Sequence, residues 1–375
     1  MKRILPGQTI GIIGGGQLGR MMALAAKEAG FNIAVLDPGE NSPCGQVADV
    51  EIQAAFDDRE ALKRLAESSD VITYEFENIN ADALKWLTTI AHVPQGSELI
   101  RITQDRRYEK NMLDQAGVPV APYKIIENEQ DLYDKIETFG FPAVLKTSTG
   151  GYDGKGQVKL NTMEDLDEGT ALITQSGPCV LESFIQFDKE VSVIVHRNEY
   201  GQTTTLPIAE NIHINHILHQ SIVPARLEPE VSGLAIKLAL QIADQIGLVG
   251  TLAVEMFVTK TGEIYVNELA PRPHNSGHYS IEACATSQFH QHIRAICNWP
   301  LKTTELVMPV VMVNILGQHV EPVIGALDSY PNWSIHLYGK AEAKENRKMG
   351  HVTILTHDVE EALIEADGSQ IWKTT

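Results

Sequence analysis

Short apolar runs alternate with helical stretches over the first hundred residues of the chain. Apolar runs cover Thr9–Ile13, Phe31–Leu36 and Val71–Phe76, and helical periodicity covers Asp58–Ser68 and Ala81–Thr89. Buried strands that alternate with helices at this spacing are typical of a parallel sheet covered by helices. The pattern therefore predicts an α/β layer at the amino terminus.

The rhythm changes at the end of this segment, and we place the boundary of an amino-terminal domain, residues 1–100, there. Helices are predicted over Asp105–Ala116 and Glu129–Phe139, followed by a strand over Ala143–Lys146 and a glycine-rich loop. This mixture predicts a small α+β unit, residues 101–180, which we interpret as a lid.

Strands predominate from residue 180 to residue 268, with one long helix over Glu228–Ile246 whose apolar positions recur every three or four residues. This pattern predicts the larger half of a central domain, residues 181–300. The tail, residues 301–375, is predicted as a small carboxyl-terminal domain. Its strand-like runs are Val307–Leu316, Ser334–Tyr338 and Val352–Leu355.

Composition and charge restrict the class of protein. The chain has 375 residues, a formal net charge of −19, 43% hydrophobic residues and 21% charged residues, which is typical of a globular protein. Because an acidic surface repels phosphate backbones, we expect no nucleic-acid partner. The cysteines form no CxxC pair and no apolar run reaches 18 residues, so we expect a cytoplasmic protein without a membrane span. The cysteines are Cys44, Cys179, Cys284 and Cys297.

A glycine motif follows the first predicted strand. Gly14, Gly16 and Gly19 fit the pattern G-x-G-x-x-G, and Asp37 ends the next strand. This is the fingerprint of dinucleotide-binding Rossmann sites, which raises the hypothesis of an NAD-dependent oxidoreductase. The physical content is narrower, because small residues at a helix amino terminus admit any anionic or polar group. A tight turn or another ligand therefore stays open.

A second glycine-rich loop favours phosphate binding. Lys146 ends an apolar strand, and Gly150–Gly156 contains four glycines in seven residues together with Lys155. Backbone amides of such a loop can surround phosphate oxygens, and the lysines add positive charge. The alternative is a loose hairpin tip with a solvated lysine.

An acidic hairpin predicts a metal site. The pattern predicts two strands, Thr251–Val258 and Ile264–Glu268. If a two-residue loop joined them, the numbers of each pair of opposite residues would sum to an odd value. Glu255 and Glu268 then share one face, where like charges are destabilising unless a cation neutralises them. Mg²⁺ commonly takes one or two carboxylates, and Asn267 adds an oxygen if the strand end bends. A solvated pair at a sheet edge is the alternative.

Other polar clusters are weaker candidates. The loop Arg272–His278 directly follows the acidic strand, and loops held by a rigid scaffold often carry chemistry. The spacing of His213, His216 and His219 places alternate members on opposite faces of a strand, so we expect no three-histidine metal site. The basic stretch is either counter-charge for an anionic substrate or a solvated helix face. It contains Lys340, Lys344, Arg347 and Lys348.

The order of these features resembles the ATP-grasp superfamily across most of the chain. More narrowly, several motifs are similar to those of the N5-carboxyaminoimidazole ribonucleotide synthetase family. These motifs are Tyr74–Asn78, Gln104–Arg106, Gly150–Gly156, Asn267–Glu268 and Ala270–Gly277. The resemblance implies an ATP-grasp architecture of mixed α/β and α+β class: a Rossmann-like amino-terminal domain, a two-part ATP-grasp domain and a small carboxyl-terminal domain.

The resemblance also implies an ATP-dependent ligase of purine biosynthesis. Such an enzyme uses ATP, Mg²⁺ (with Mn²⁺ as a substitute) and bicarbonate to carboxylate 5-aminoimidazole ribonucleotide, via carboxyphosphate, and releases ADP and phosphate. We expect a cytoplasmic homodimer with small-molecule substrates. Alternatives are a formate-using ribotide transformylase, an NAD-dependent oxidoreductase and a non-catalytic nucleotide sensor. Asn275 agrees with the bicarbonate-using branch, because the resemblance places Asp at this position in the related formate-using enzyme.

Residue roles follow from the same resemblance. The implied ATP ligands are Arg106, Lys146, Gly151, Tyr152, Asp153, Gly154, Lys155, Gly156, Gln157, Glu182, Ser183, Phe184, Ile185, Glu190, His213, Asn267 and Glu268. The implied ribotide ligands are Gln17, Leu18, Glu75, Tyr152, Asn275, Lys340, Arg347 and Lys348. The implied metal ligands are Glu255, Glu268 and Asn267. The catalytic candidates are Lys146, Asp153, Arg272 and His274, the last two because they lie beside Glu268.

Overall fold

The computed structural model of the protein describes residues 2–151 and 155–373, which are arranged around three β-sheets. The strands are β1 (Thr9–Ile13), β2 (Asn32–Asp37), β3 (Val50–Gln53), β4 (Val71–Tyr74), β5 (Tyr123–Ile126), β6 (Ala143–Thr147), β7 (Gln157–Leu160), β8 (Cys179–Ser183), β9 (Lys189–Arg197), β10 (Thr203–Thr205), β11 (Ala209–Ile214), β12 (Ile217–Val223), β13 (Gly250–Val258), β14 (Ile264–Ala270), β15 (Val310–Leu316), β16 (Trp333–Leu337) and β17 (Lys348–Leu355). The helices are α1 (Gln17–Glu28), α2 (Arg59–Glu67), α3 (Ala81–Leu87), α4 (Glu98–Thr103), α5 (Arg106–Gln115), α6 (Glu129–Phe139), α7 (Leu166–Ser176), α8 (Pro229–Gln245), α9 (Ser280–Ala283), α10 (Gln288–Ile296), α11 (Val320–Gly325) and α12 (Val359–Gly368).

The amino-terminal sheet is parallel, with strand order β3-β2-β1-β4, which confirms the predicted α/β layer. Ile13 of β1 pairs with Tyr74 of β4. The residues after these strands, Gly14 and Glu75, are therefore brought together at the carboxyl edge of the sheet, where ligands of parallel sheets usually bind. Strand β3 is absent from the predicted elements, because Val50 and Glu51 are both exposed and form no apolar run.

The small second sheet is antiparallel, with strand order β5-β8-β6-β7. Along β6, Ala143, Leu145 and Thr147 are buried, and the first two pack in a core with residues of α6 and α7. Because side chains alternate along a strand, Val144 and Lys146 face the opposite side, where both line the central cavity. The alternation along β6 thus places the side chain of Lys146 in the cavity, although most of the strand is apolar.

The largest sheet runs β14-β13-β9-β11-β12-β15-β17-β16, with β10 added at β9, and all its pairs are antiparallel. Helix α8 packs against its β9 and β13 through a core that includes Leu238 and Ile242. The pairing of β12 with β15 continues the sheet across the predicted boundary at residue 300. The domain boundaries stay predictions, but the central and carboxyl-terminal strands share one sheet.

The hairpin of β13 and β14 differs from the expected one. Val258 pairs with Ile264, so five residues connect the strands, and the expectation of a two-residue loop is wrong. Pairing near this loop would place Glu255 opposite Asn267, but a β-bulge shifts the register and Glu255 pairs with Glu268. Asn267 is the extra residue of the bulge. Consequently Asn267 and Glu268 both line the cavity, although they are adjacent in a strand.

Within residues 2–151 and 155–373, no helix has the length and apolar character needed to cross a bilayer.

Candidate active site

Side chains from the two antiparallel sheets, from α1 and from the segment that follows β4 line a cavity of about 620 Å³. The predicted site residues on its wall are Gln17, Leu18, Glu75, Arg106, Lys146, Lys155, Gln157, Glu182, Ser183, Phe184, Ile185, Glu190, His213, Glu255, Asn267, Glu268, Arg272, His274, Asn275 and Lys348. Gly151, Gly156, Lys340 and Arg347 are not among the wall residues. Tyr152, Asp153 and Gly154 lie outside the described residues. The fold therefore gathers most of the predicted site into one place.

Lys146 connects the small sheet to the large one. Its Nζ lies 2.9 Å from Glu182 Oε2 on β8 and donates to Asn267 Oδ1 on β14, at 3.4 Å. The other oxygen of Glu182 lies 3.3 Å from Nζ of Lys110, whose side chain is 1% exposed. Burial lowers the pKa of Lys146, and the charge of Glu182 opposes this effect. One buried carboxylate thus holds two ammonium groups, and sequence reasoning missed Lys110 because a mid-helix lysine gives no signal.

The start of the phosphate loop is fixed by its neighbours. Arg106, the first residue of α5, donates its backbone N–H to Ser148 O at 2.9 Å, and its side chain lies 3.7 Å from Glu268. Thr147 N–H donates to Gly156 O at 2.8 Å. Gly156 has φ +72°, and a Cβ there would lie 2.7 Å from Thr147 Oγ1. Only glycine fits this position without a shift of the loop.

Glu255 and Glu268 form the facing carboxylate pair. Burial alone would raise the pKa of Glu255, but the charge and hydrogen bond of His274, at 3.0 Å, lower it. Enclosure raises the pKa of Glu268, and the charge of Glu255 adds to this effect. Two carboxylates and the Asn267 amide oxygen are hard oxygen donors, which suit Mg²⁺. The donor set therefore fits the predicted cation, which would relieve the repulsion between the carboxylates.

One part of the cavity wall is aromatic. Phe187 and Phe257 stack with ring centroids 4.6 Å apart and planes 7° apart, and both line the cavity. Next to them, His213 Nδ1 contacts Glu190 Oε2, and this contact raises the pKa of His213 although burial opposes it. Sequence reasoning missed Phe257. Strand alternation could have found it, because Phe257 lies two residues after Glu255 on the same face.

The amides of the first glycine motif are already bonded to the protein. Glu75 accepts hydrogen bonds from the backbone N–H groups of Gly16 and Gly19, the latter at 2.7 Å. Asp37 accepts one from Gly15 N–H at 2.6 Å. The amides that would hold a dinucleotide pyrophosphate are thus occupied by carboxylates, which disfavours the NAD hypothesis. Burial raises the pKa of Glu75.

The basic stretch lies at the same end of the cavity as Glu75. Lys340 Nζ donates to Lys348 O at 2.6 Å, and burial followed by the charge of Arg347 lowers the pKa of Lys340 to about 8, against the opposing charge of Glu75. Residues 338–347 are not helical, so the alternative of a solvated helix face is wrong. Lys344 is exposed and pairs with Glu342 at 2.8 Å. Lys348, at the start of β17, lines the cavity.

Arg272 and His274 are held firmly beside the carboxylate pair. The guanidinium of Arg272 binds Glu77 through two hydrogen bonds, of which Nη2–Oε1 measures 2.9 Å. His274 Nδ1 lies 2.8 Å from Ser276 Oγ, and its Nε2 faces Glu255. Glu77 was not among the predicted site residues, although it belongs to the motif Tyr74–Asn78. Its partner is 195 residues away in the chain, so only the fold shows the pair.

Comparison with known proteins gives matches along the whole chain. Three family models match: Ribonucleotide synthetase preATP-grasp domain over residues 7–104, ATP-grasp domain over 111–289 and Phosphoribosylaminoimidazole carboxylase C-terminal domain over 310–365. The N5-carboxyaminoimidazole ribonucleotide synthase of Bacillus subtilis (strain 168) is 53% identical over 362 residues, which cover 96% of this chain and 95% of the relative.

Solved structures show the same likeness. An N5-carboxyaminoimidazole ribonucleotide synthetase in complex with ADP superposes with a TM-score of 0.97 at 59% identity, covering 99% of this chain and 98% of the other. The Aspergillus clavatus N5-carboxyaminoimidazole synthase, in complex with ADP and 5-aminoimidazole ribonucleotide, gives a TM-score of 0.90 at 32% identity, with 97% of each chain covered.

Proposed function

The chain belongs to the N5-carboxyaminoimidazole ribonucleotide synthase family, and from this premise we propose how its cavity performs the reaction of that family. It is an ATP-dependent ligase of purine biosynthesis that carboxylates 5-aminoimidazole ribonucleotide to N5-carboxyaminoimidazole ribonucleotide. The observation that carries the assignment of the site is that Lys146, the Glu255–Glu268 pair and Lys348 of the basic stretch line one cavity. The alternatives of a formate-using enzyme and an NAD enzyme are not favoured.

ATP lies with its phosphates at Lys146 and Arg106 and its base at the aromatic end. The carboxylate of Glu182 is occupied by two lysines, so the segment Ser183–Ile185 meets adenine through its backbone. Phe257 offers an apolar surface for the base, and Glu190 accepts hydrogen bonds from the ribose hydroxyls. The loop residues Gly151, Lys155, Gly156 and Gln157 hold the phosphates, and the predicted ligands Tyr152, Asp153 and Gly154 lie outside the described residues.

Glu255, Glu268 and Asn267 would hold Mg²⁺, or Mn²⁺ as a substitute. A cation bound there would supply positive charge to the phosphates of ATP. The support for this assignment is the pairing of two carboxylates directly opposite each other, with the bulged Asn267 beside them. Arg106 lies 3.7 Å from Glu268, so the cation and the guanidinium would together balance the negative charge of the phosphates.

Bicarbonate is the carboxyl donor in this proposal. One of its oxygens attacks the γ-phosphorus, the bond to the β-phosphate oxygen breaks, and ADP and carboxyphosphate form. The charged Lys146 and Arg106 stabilise the negative charge that develops on the phosphoryl oxygens. The exocyclic amine of the ribotide then bonds to the carboxyl carbon of carboxyphosphate, or of CO₂ released from it, and loses a proton, and inorganic phosphate departs. Because carboxyphosphate is short-lived in water, the loop must exclude water while it exists.

Arg272 and His274 position bicarbonate and handle protons. Arg272 is fixed by Glu77 and lies beside the carboxylate pair, so its position does not depend on substrate. His274 contacts Glu255 through Nε2 and Ser276 through Nδ1, which leaves its ring orientation defined. An Arg272→Ala protein should lose ribotide-dependent turnover, and unchanged turnover would contradict the role.

The ribotide binds at the basic end, with Gln17, Leu18, Glu75 and Asn275 around the imidazole and ribose. Its phosphate meets the cations of the basic stretch, Lys340, Arg347 and Lys348. We extend the proposal to a homodimer in the cytoplasm. Four buried cysteines without disulfide partners support a reducing compartment, and sedimentation velocity tests the dimer.

The decisive experiment measures ADP release with Mg²⁺ and bicarbonate, with and without 5-aminoimidazole ribonucleotide. Stimulation by the ribotide in bicarbonate, but not in formate, supports the proposal. Stimulation only by formate would favour the transformylase. Unchanged ADP release with and without ribotide would overturn the assignment.

A further inference from the structure

A group of polar side chains lies outside the cavity, at the junction of α9 with β16 and β17. His336 and His351 are cross-strand partners whose rings stack with centroids 4.6 Å apart and planes 11° apart. Glu282 of α9 reaches His336, with Oε1 lying 2.6 Å from Nε2. His278 packs against His351 with ring centroids 4.9 Å apart. None of these four residues is among the wall residues described for the cavity.

Three polar atoms of this group have no hydrogen-bond partner: Nε2 of His278, Nε2 of His351 and Oε2 of Glu282. His351 is completely buried, and its Nδ1 lies 2.9 Å from the hydroxyl of Tyr338, but its Nε2 has no partner. The second oxygen of Glu282, Oε2, is also buried without one. Buried polar atoms are nearly always satisfied in native proteins, so unpaired ones in a single cluster call for a ligand.

Three side chains of the cluster lie close enough to share a metal ion. One ligand atom each from Glu282, His336 and His351 lies within 4.8 Å of the other two, and among residues 2–151 and 155–373 no other group of three His, Cys, Asp or Glu side chains meets this condition. Two imidazoles and a carboxylate form a common zinc donor set that leaves a fourth position open. At Zn–N distances of about 2.0 Å, tetrahedral ligands lie roughly 3.3 Å apart, so the partly exposed ring of His336 would have to turn out of its stack with His351 to share the ion.

We propose that Glu282, His336 and His351 form a zinc site that joins α9 to the β16–β17 hairpin. His351 is available as a ligand because its Nε2 is buried without a hydrogen-bond partner. The side chain of His336 is 33% exposed and gives the ion a path from solvent. Tyr338, which lies beside His351 Nδ1, fixes the ring of that ligand.

The site joins two segments that carry active-site groups. Helix α9 follows the loop with Arg272, His274 and Asn275, whereas β16 and β17 flank the basic stretch. Zinc would therefore hold the basic stretch against that loop, as a structural ion and not a reacting one. This inference does not depend on the reaction assigned to the cavity, because its test measures zinc and not turnover.

The test is zinc binding by the whole chain in saturating Mg²⁺, which protects the carboxylate pair in the cavity. Equilibrium dialysis followed by metal analysis should give one zinc per chain, and Co²⁺ in its place should show visible d–d absorption. The Glu282→Gln and His336→Asn variants should bind zinc at least about tenfold more weakly. His290→Asn is the matched control, because His290 forms the same kind of pair with Glu28, at 2.8 Å, and should bind zinc as the wild type does.

A further control separates this site from the cavity. Glu255→Gln should keep its zinc in Mg²⁺, and zinc that is lost in Glu255→Gln but kept in His336→Asn would overturn the proposal. If the cluster variants do not fold, the wild-type protein decides the matter. Its melting temperature should rise with added zinc in Mg²⁺, and an unchanged melting temperature with no bound zinc would also overturn the proposal.

Discussion

Replacement of Glu182 by glutamine tests the buried charge cluster behind the phosphate site. The carboxylate of Glu182 lies 2.9 Å from Lys146 and 3.3 Å from Lys110, and the side chains of Glu182 and Lys110 are 4% and 1% exposed. At an effective dielectric constant of about 20, each contact is worth roughly 5–6 kcal/mol before desolvation is subtracted. Glutamine keeps the shape and an acceptor oxygen but leaves two ammonium groups without a counter-charge.

The expected loss of stability is smaller than the sum of these two contact energies. Burial already lowers the pKa of Lys146, so this lysine can lose its proton when Glu182 is neutralised, and deprotonation limits the cost. Breaking a buried pair by removal of one partner typically costs about 3–5 kcal/mol, which is the decrease in unfolding free energy that we expect. Because charged Lys146 is needed for ATP, the decline of turnover with rising pH should also begin at lower pH in the variant.

The assay is urea unfolding at pH 7, combined with the KM for ATP. Glu210 provides the matched control, because its carboxylate is 3% exposed and lies 3.0 Å from Lys189 and 2.7 Å from Arg226, away from the cavity wall. Glu210→Gln should lower stability less, since its partners are more exposed, and should leave the KM for ATP unchanged. A decrease below about 1 kcal/mol in Glu182→Gln, the range of an exposed pair, would refute the reasoning.

Further predictions concern the metal pair, the basic stretch and the phosphate loop. Glu255→Gln and Glu268→Gln should each lower turnover at limiting Mg²⁺ by at least about 100-fold, and a near-normal rate would contradict the metal role. The KM for the ribotide should rise as pH rises through about 8, where Lys340 loses the charge that binds phosphate. Lys340→Arg should remove this rise, because arginine keeps its charge. A rise of the same size in that variant would exclude Lys340 as its cause. Gly156→Ala should cost about 1–3 kcal/mol of stability and weaken ATP binding, because its added Cβ meets a threonine at 2.7 Å. Gly150→Ala has a similar positive φ but nothing within 4 Å, so it measures backbone strain alone; equal ATP affinities of the two variants would show that the close contact is unimportant.

The local parts of the fold could be predicted from the sequence. Alternating apolar runs gave the parallel layer, and period-two alternation placed Glu255 and Glu268 on one face. The assumed turn was wrong, and the carboxylates meet only because a bulge at Asn267 shifts the register. A bulge depends on how two strands pair, so a single strand pattern does not contain it.

Contacts between distant segments could not be predicted in the same way. Glu77 follows β4 and Arg272 follows β14, strands of two different sheets, and Lys110 shows its role only when α5 packs beside β8. These three residues lie in segments whose hydrophobic periodicity is not unusual, so the local sequence does not identify them as partners. The glycine motif shows the reverse case, because its sequence signal is strong but its amides bind the protein's own Glu75.

The pairing of β12 with β15 has a consequence for protein engineering. Gln220, Ser221 and Ile222 pair with Val313, Met312 and Val311, so the tail supplies the neighbour strand of the central sheet. A chain cut at residue 300 would leave β12 as an open edge that invites pairing with other molecules. If the tail is exchanged between relatives to obtain a new acceptor specificity, β12 and β15 should therefore be transferred together.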